Sequence, residues 1–214
     1  MKNPASQINE TLMRRFPALA PLSSELDAAV ASIVACHTRG GLVMVCGNGG
    51  SAADAAHIVG ELMKGFLLRR EATAAHRDAL MSVDPSGMLA ATLQEGVRAV
   101  SLMDAAALVS AVGNDLSWDV VYAQQVLALG KPGDVLIGIS TSGNARNVVR
   151  AMQTARALGI TTLGLTGQGG GVLREWSDVL LAVPETETYK VQELHLPLYH
   201  ALCARVEETL FGNA

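Results

Sequence analysis

The chain has 214 residues, of which 50% are hydrophobic and 17% charged, so it contains enough apolar material for one buried core. That composition excludes an intrinsically disordered chain, and the lack of any biased tract excludes a fibrous protein. A formal net charge of −4 and an aromatic content of only 4% argue against a surface that binds nucleic acid.

The N-terminal sequence MKNPASQINETLMRRF lacks the apolar run of a signal peptide, and we expect no membrane-spanning segment elsewhere in the chain. Three cysteines, Cys36, Cys46 and Cys203, are far apart and lack CxxC spacing. Their apolar neighbours predict buried free thiols in a reducing compartment. The sequence therefore predicts a cytoplasmic protein with neither a membrane nor a nucleic acid as partner.

The first half of the chain begins with a helical segment over about residues 1–40, where apolar residues recur at helical spacing until Gly40. The apolar run LVMVC (42–46) predicts a buried strand. A glycine-rich loop and the alanine-rich stretch AADAAHIVGELMKGF follow it, which predicts a helix after the loop. Strand, glycine loop and helix make half of a βαβ unit.

The rest of the chain repeats this pattern after a polar excursion at about 67–97, where we expect two short helices around a turn. Further strands are predicted at 134–140, 161–167 and 178–184, a helix at 145–159, and a final helix at about 189–211. Strands that alternate with helices indicate a parallel sheet covered on both faces. We predict one α/β domain over 1–214, a doubly wound parallel sheet sandwiched by helices.

The loop after the first predicted strand contains Asn48, Gly49 and Ser51 within the sequence GNGGS. Glycines at this position let backbone N–H groups point at a ligand, and the N-terminus of the following helix favours an anion. A plain strand-to-helix turn is the alternative. Three glycines in four positions favour contact with a ligand.

The loop after the strand at 134–140 contains three consecutive hydroxyl side chains, Ser140, Thr141 and Ser142. Hydroxyls and free helix N–H groups can cradle a phosphate without a lysine, although Ser and Thr are also common helix caps. Ligands of open α/β sheets bind at the carboxyl ends of the strands. Two such loops in one sheet therefore predict a site for a phosphorylated small molecule.

A third group of candidate residues lies on two predicted helices. His57 and Glu61 are four residues apart and share one helix face, while Gln192 and His200 lie on the last helix. Two imidazoles, a carboxylate and an amide suit zinc or a similar divalent ion. The same groups also suit a general acid/base pair, and a solvated ion pair is the plain alternative. Nearby His195 is expected in the core or on the surface.

These motifs resemble those of the sugar isomerase (SIS) domain family, and within it the phosphoheptose isomerases. The matching stretches are CGNGGSAADAAHIVGEL, VGND (112–115), DVLIGISTSGNARNVVRAM, GLTGQGGG and VQELHLPLYH, and the likeness covers nearly the whole chain outside 67–97. The resemblance implies a SIS-type, flavodoxin-like fold. It also implies an aldose–ketose isomerase that interconverts sedoheptulose 7-phosphate and D-glycero-D-manno-heptose 7-phosphate through an enediol.

The resemblance also implies roles for individual residues and an assembly. It implies one divalent ion per active site, zinc by preference, and a cytosolic homotetramer with active sites between subunits. Glu61 and His200 would be the acid/base residues. The implied metal ligands are His57, Glu61, Gln192 and His200; the implied phosphate ligands are Ser51, Ser140, Thr141 and Ser142; the implied sugar-binding residues are Asn48, Gly49, Asp115 and Gln192.

The sequence departs from the family pattern at three places. Ala145 stands where the family often has a serine, Lys64-Gly65-Phe66 lacks the arginine that usually precedes the aromatic residue, and the excursion is long. Other readings are an isomerase for a different sugar phosphate, a non-catalytic SIS sensor or scaffold, and a dinucleotide-dependent oxidoreductase. The presence of both Glu61 and His200 favours an enzyme.

Overall fold

A five-stranded parallel sheet forms the centre of the computed structural model, which describes residues 4–212. The strand order is β2-β1-β3-β4-β5, and every neighbouring pair is parallel. This order is the flavodoxin-like one, with its switch point between β1 and β3. It confirms the predicted doubly wound sheet. The strands are β1 (Val43–Cys46), β2 (Ala99–Ser101), β3 (Val135–Ile139), β4 (Thr161–Thr166) and β5 (Val179–Ala182).

Helices cover both faces of the sheet because strand side chains alternate between the faces. The helices are α1 (Pro4–Arg15), α2 (Ser23–Thr38), α3 (Gly50–Met63), α4 (Ala74–Val83), α5 (Met88–Thr92), α6 (Ala106–Asp115), α7 (Ala123–Leu129), α8 (Arg146–Ala157), α9 (Leu173–Trp176) and α10 (Thr188–Phe211). Val43 and Val45 join a core with α2, α3 and α10, whereas Met44 and Cys46 join a second core with α6, α7 and α8. Short 3₁₀ helices lie at Pro17–Leu22 and Trp118–Val120.

The element boundaries differ from the sequence-based expectation in one important place. Strand β2 (Ala99–Ser101) was not predicted, because three residues at the edge of the sheet carry too short a pattern to recognise. The excursion holds α4 and α5, and an isolated antiparallel bridge joins Glu71 to Gln94 near its two ends. Residues 1–3 of the predicted N-terminal segment and residues 213–214 lie outside the described part of the chain.

The N-terminal helical region bears on two expectations. The stretch Pro17–Thr38 is long and apolar enough, by length and composition, to cross a membrane, although core helices of folded proteins pass the same test. Glu25 and Asp27 interrupt its apolar residues, so it is not the continuous apolar run that the sequence analysis looked for. The apolar face of α2 packs into the core through residues such as Leu26 and Ile33. Cysteines Cys36, Cys46 and Cys203 are buried free thiols, as predicted.

A buried carboxylate fastens the start of the excursion to α10. Glu207 accepts N–H groups of Phe66 and Leu67, each at 2.7 Å, and of Leu68 at 3.0 Å. Its Oε1 also accepts Arg70 Nε at 2.8 Å, and both side chains are almost completely buried. Burial raises the pKa of Glu207, but the hydrogen bonds and Arg70 together hold that pKa below its usual range.

The guanidinium of Arg70 also closes the C-terminal end of α3. It donates to the carbonyl oxygens of Leu62 at 2.6 Å and Glu61 at 2.9 Å. The last carbonyls of a helix have no partner within the helix, so Arg70 satisfies two of them while pairing with Glu207. The end of α3 that carries Glu61 is therefore tied to α10.

We expect Glu207→Gln to lower the free energy of unfolding by about 3 kcal/mol, because it leaves the buried Arg70 without its counter-charge. Urea unfolding followed by circular dichroism measures the change. The matched control is Glu71→Gln, which removes the exposed Arg77–Glu71 pair at 3.9 Å and should cost less than about 1 kcal/mol. Equal losses in the two variants would contradict the structural role of the buried pair.

Candidate active site

The two predicted ligand loops lie side by side at one edge of the sheet. Strands β1 and β3 are hydrogen-bonded neighbours, and Cys46 is in register with Gly138. The loop at 47–49 and the loop at 140–145 therefore leave the sheet at the same end, each directly before a helix. This is the switch point at which open α/β sheets bind ligands.

The first loop is shaped by glycine. Gly49 has a φ of +54°, a backbone angle that residues other than glycine rarely adopt. A Cβ atom at Gly47 would lie 2.6 Å from the Ser51 carbonyl oxygen, so a larger residue does not fit there. Ser51 is buried at the start of α3, where its backbone N–H donates to the Asn48 carbonyl at 3.0 Å. The loop thus turns tightly onto the helix.

Asn48 forms an amide pair that links the first loop to α8. Its carboxamide makes a reciprocal pair with Asn147 on α8, with distances of 2.8 and 2.9 Å. The Tyr122 hydroxyl lies 3.2 Å from Asn48 Oδ1. The predicted sugar contact therefore joins the first loop to the helix after the second loop. Sequence reasoning missed Asn147, although it lies within the quoted motif STSGNARN.

In the second loop the hydroxyl oxygens accept backbone hydrogen bonds. Ser140 Oγ accepts the N–H of Ala145 at 3.3 Å, and Ser142 Oγ accepts the N–H of Asn144 at 3.2 Å. A hydroxyl that accepts in this way keeps its own proton, which it can donate to a phosphate oxygen. Thr141 is partly exposed between the two serines. The loop is compatible with both the capping and the cradle interpretation.

A second glycine-rich segment, residues 167–171, packs against the loop at 140–145. Gly143, with a φ of +68°, packs so closely that a Cβ there would lie 2.0 Å from the Gly170 carbonyl oxygen. Its own carbonyl accepts the Leu173 N–H at 3.0 Å, and Asn144 Oδ1 accepts the Val172 N–H at 3.0 Å. The sequence GQGGG therefore keeps the hydroxyl loop in place.

The charged candidates meet between α3 and α10. His57 Nε2 lies 3.3 Å from Glu61 Oε1 and 3.4 Å from His200 Nε2. Burial, followed by the neighbouring His57, lowers the pKa of His200, and Glu61 opposes this effect. Lys64 Nζ lies 3.5 Å from the other oxygen of this carboxylate, Glu61 Oε2. The structure brings three of the four predicted metal ligands together.

Tyr199 and Asp54 are two further neighbours of His57 that sequence reasoning missed. The Tyr199 hydroxyl lies 3.1 Å from His57 Nδ1 and 3.2 Å from Asp54 Oδ1. Burial raises the pKa of Asp54, while Tyr199 and His57 oppose the shift. The available signals were an acidic residue three positions before His57 and a tyrosine next to His200.

The fourth predicted ligand, Gln192, contacts the start of α3. Its side chain packs over Gly50, where a Cβ would lie 2.5 Å from Gln192 Nε2. Across residues 4–212, no hydrogen bond joins Gln192 to His57, Glu61 or His200, and no three His, Cys, Asp or Glu side chains form a ready metal cluster.

The chemistry of the donors nevertheless fits a divalent ion. Two nitrogens on one tetrahedral zinc, each about 2.1 Å from the metal, lie roughly 3.4 Å apart. The separations of His57 Nε2 from Glu61 and His200 are 3.3 and 3.4 Å. Imidazole and carboxylate are common zinc ligands. These two distances, both measured from His57, therefore suit such an ion.

Asp115 is exposed at the end of α6 and accepts a hydrogen bond from Asn114 Nδ2 at 2.7 Å; within the described chain it has no hydrogen bond to either loop.

A cavity of about 710 Å³ lies between α1, α10 and the start of the excursion, with His200 on its wall. This cavity does not identify the site, because no residue of either loop lines it and, among residues 4–212, His200 is the one candidate residue on its wall.

Comparison with known proteins identifies the family. The SIS domain family model matches residues 9–88 and 85–167. A phosphoheptose isomerase from Burkholderia pseudomallei is 41% identical over 195 residues, which cover 91% of this chain and 85% of that protein. The chain belongs to the phosphoheptose isomerase family of SIS domain proteins.

Solved structures of phosphoheptose isomerases have the same fold as this chain. The structure from Neisseria gonorrhoeae is 33% identical with a TM-score of 0.74, and it covers 95% of this chain and 96% of its own. The structure from Francisella tularensis is 28% identical with a TM-score of 0.75 and covers 95% of each chain. These likenesses extend over the excursion as well as the sheet.

Two departures from the pattern of the phosphoheptose isomerases are now visible as contacts. At Ala145, the backbone N–H donates to Ser140 Oγ, so this residue contributes to the loop without a hydroxyl. Lys64 places a cation 3.5 Å from Glu61, next to the site of the missing arginine. The excursion begins directly after it and is fixed by Arg70.

His195 lies in the core between the candidate residues of α10. Its Nε2 donates to the Thr166 carbonyl at 3.2 Å, while its buried Nδ1 has no hydrogen-bond partner among residues 4–212. Burial lowers the pKa of His195 from 6.5 to about 4, with a smaller opposing effect from the hydrogen bond. His195 is therefore neutral in the folded protein at neutral pH.

We expect the free energy of unfolding to fall as the pH drops from about 6.5 toward 4. In this range His195 takes up a proton in the unfolded chain but stays neutral in the folded protein. The loss between pH 7 and pH 5 is about 2 kcal/mol. His195→Gln keeps a donor for Thr166 and should remove this component. Urea unfolding of both proteins at several pH values measures the difference, and parallel pH profiles would contradict the assignment.

Proposed function

We propose that this protein interconverts sedoheptulose 7-phosphate and D-glycero-D-manno-heptose 7-phosphate, in the cytoplasm and as a homotetramer. One observation carries the proposal: Glu61 and His200 flank His57 on helices that pack beside the loops of the β1/β3 switch point. Membership of the phosphoheptose isomerase family supports the same reaction. Phosphate binds at the loops, and proton transfer takes place between α3 and α10.

The length of α3 suits a long sugar phosphate. Ser51 is the second residue of α3, and His57 follows six residues later. At about 1.5 Å per residue, this separation is roughly 9 Å along the axis. A seven-carbon chain that is held by its terminal phosphate beside Ser51 therefore brings its first two carbons to His57 and Glu61.

The reaction needs two proton-transferring groups. A base removes the proton at C2 of the aldose and returns it at C1, and a second group moves protons between the two oxygens. Glu61 is the base, and His200 shuttles protons on the oxygens. The half-exposed loops hold the phosphate end, which fixes the reacting carbons by position.

A divalent ion, zinc by preference, completes the proposed site. His57, Glu61 and His200 would hold it, with Gln192 as the fourth ligand. When bound, such an ion supplies positive charge that stabilises the negative charge developing on O1 and O2. Glu61 Oε1 faces His57, whereas Oε2 faces Lys64, so one carboxylate can serve the ion and the proton at once.

The surface of the chain supports self-association, as the proposed homotetramer requires. Large apolar side chains are exposed around α6 and α7, including Leu116 at 65%, Leu127 at 58% and Trp118 at 53%. Exposed apolar residues grouped in this way are typical of subunit interfaces. Asp115 lies next to this group, so a partner subunit is the route by which it would reach an active site.

We expect Glu61→Gln to reduce kcat by about 10²–10⁴-fold with little change in KM, because it removes the base and almost no volume. A coupled assay with sedoheptulose 7-phosphate measures turnover. Glu175→Gln, which changes an exposed carboxylate on α9, is the matched control and should keep full activity. Unchanged turnover in Glu61→Gln would overturn the mechanism. A folded wild-type protein without turnover would overturn the proposed substrate.

We expect Ser140→Ala with Ser142→Ala to raise KM by about 10–100-fold while the pH profile of kcat stays in place. The two hydroxyls hold phosphate and take no part in proton transfer. Ser82→Ala, an exposed serine on α4, is the matched control. Thermal unfolding of each variant separates lost phosphate binding from a disturbed loop. An unchanged KM in a folded double variant would place the phosphate elsewhere.

A further inference from the structure

A buried phenol connects His57 to a carboxylate outside the proposed ligand set. The Tyr199 side chain is 1% exposed, and its hydroxyl lies between His57 Nδ1, at 3.1 Å, and Asp54 Oδ1, at 3.2 Å. The Tyr199 ring packs edge-on against His57 and His200, with ring centroids 5.4 and 5.1 Å apart. The hydroxyl is thus held in place between two polar atoms.

The number of protons determines the direction of these hydrogen bonds. The phenol has one proton, and an ionised carboxylate can only accept. If Tyr199 donated to His57, two lone-pair oxygens would face each other at 3.2 Å. Tyr199 therefore donates to Asp54, and its oxygen accepts the N–H of His57 Nδ1.

This direction fixes the other ring nitrogen. A neutral imidazole with a proton on Nδ1 has a lone pair on Nε2. Nε2 of His57 is the atom that faces Glu61 Oε1 at 3.3 Å and His200 Nε2 at 3.4 Å. A lone pair that faces a carboxylate oxygen at this distance is stabilised by a cation between them.

We propose that Asp54 and Tyr199 are positioning residues that hold His57 in the tautomer whose Nε2 binds the divalent ion. The inference rests on the metal site of the proposed function. Histidine ligands of metals commonly donate their second N–H to a carboxylate, which fixes the ring and strengthens the ligand. Here the phenol of Tyr199 stands between the histidine and the carboxylate of Asp54.

The affinity of the full-length, metal-stripped protein for Zn²⁺ tests this proposal by competition with a chromogenic chelator. We expect Tyr199→Phe, which keeps the ring and removes the hydroxyl, to weaken binding by about 10–100-fold. Asp54→Asn should change the affinity in the same direction. Tyr189→Phe removes an exposed phenol from the same helix and should bind like the wild type.

The tautomer itself is measured in long-range ¹H–¹⁵N spectra of histidine-labelled, metal-stripped protein. We expect the Nδ1–H form of His57 in the wild type and a mixture of both tautomers in Tyr199→Phe. Thermal unfolding shows that each variant is folded.

Two results would overturn the inference, and they differ in their consequence for the proposed function. If the wild type binds Zn²⁺ and Tyr199→Phe binds it equally well, His57 does not depend on the phenol, and the proposed function stands. A doubly protonated His57 that donates to both Tyr199 and Glu61 would give this result. If the wild type binds Zn²⁺ no better than His57→Ala, the divalent ion is not part of the proposed function, and the inference about His57 fails as well.

Discussion

The packing of α10 along α3 is the interaction on which the candidate active site depends. Each helix alone presents a few polar side chains on one face. Their contact brings His57 and His200, which are 143 residues apart in the chain, to 3.4 Å. Arg70 and Glu207 maintain this contact, because one buried ion pair joins the end of α3, the start of the excursion and the last turns of α10.

The sheet supplies the other half of the site through its strand order. Because β1 and β3 are neighbours, the loops that follow them meet at one edge, and the reciprocal amide pair of Asn48 and Asn147 joins them. The first loop leads directly into α3. In the proposed function, this continuous piece of chain would hold a phosphate at the loops and a reacting carbon at Glu61.

Much of the fold was predicted from sequence patterns that extend over only a few residues. The glycines at 47–50 and the hydroxyls at 140–142 mark tight turns between a buried strand and a helix, and the period of apolar residues marks the helices. The family and its isomerase activity were predicted from these motifs and are confirmed by the relatives. Strand β2 was not predicted, because it has three residues and lies at an edge of the sheet. The individual site residues, the metal and the tetramer remain predictions.

The sequence by itself determined the doubly wound fold, the positions of both loops and the residue types available for proton transfer. These depend on spacing within a few turns of chain, which a single sequence displays. Only the tertiary structure decided that Asn48 pairs with Asn147, that Gln192 lies over Gly50, and that Tyr199 stands between Asp54 and His57. These contacts join residues about a hundred or more positions apart, and no local period records them, because helix packing and strand order place the partners together.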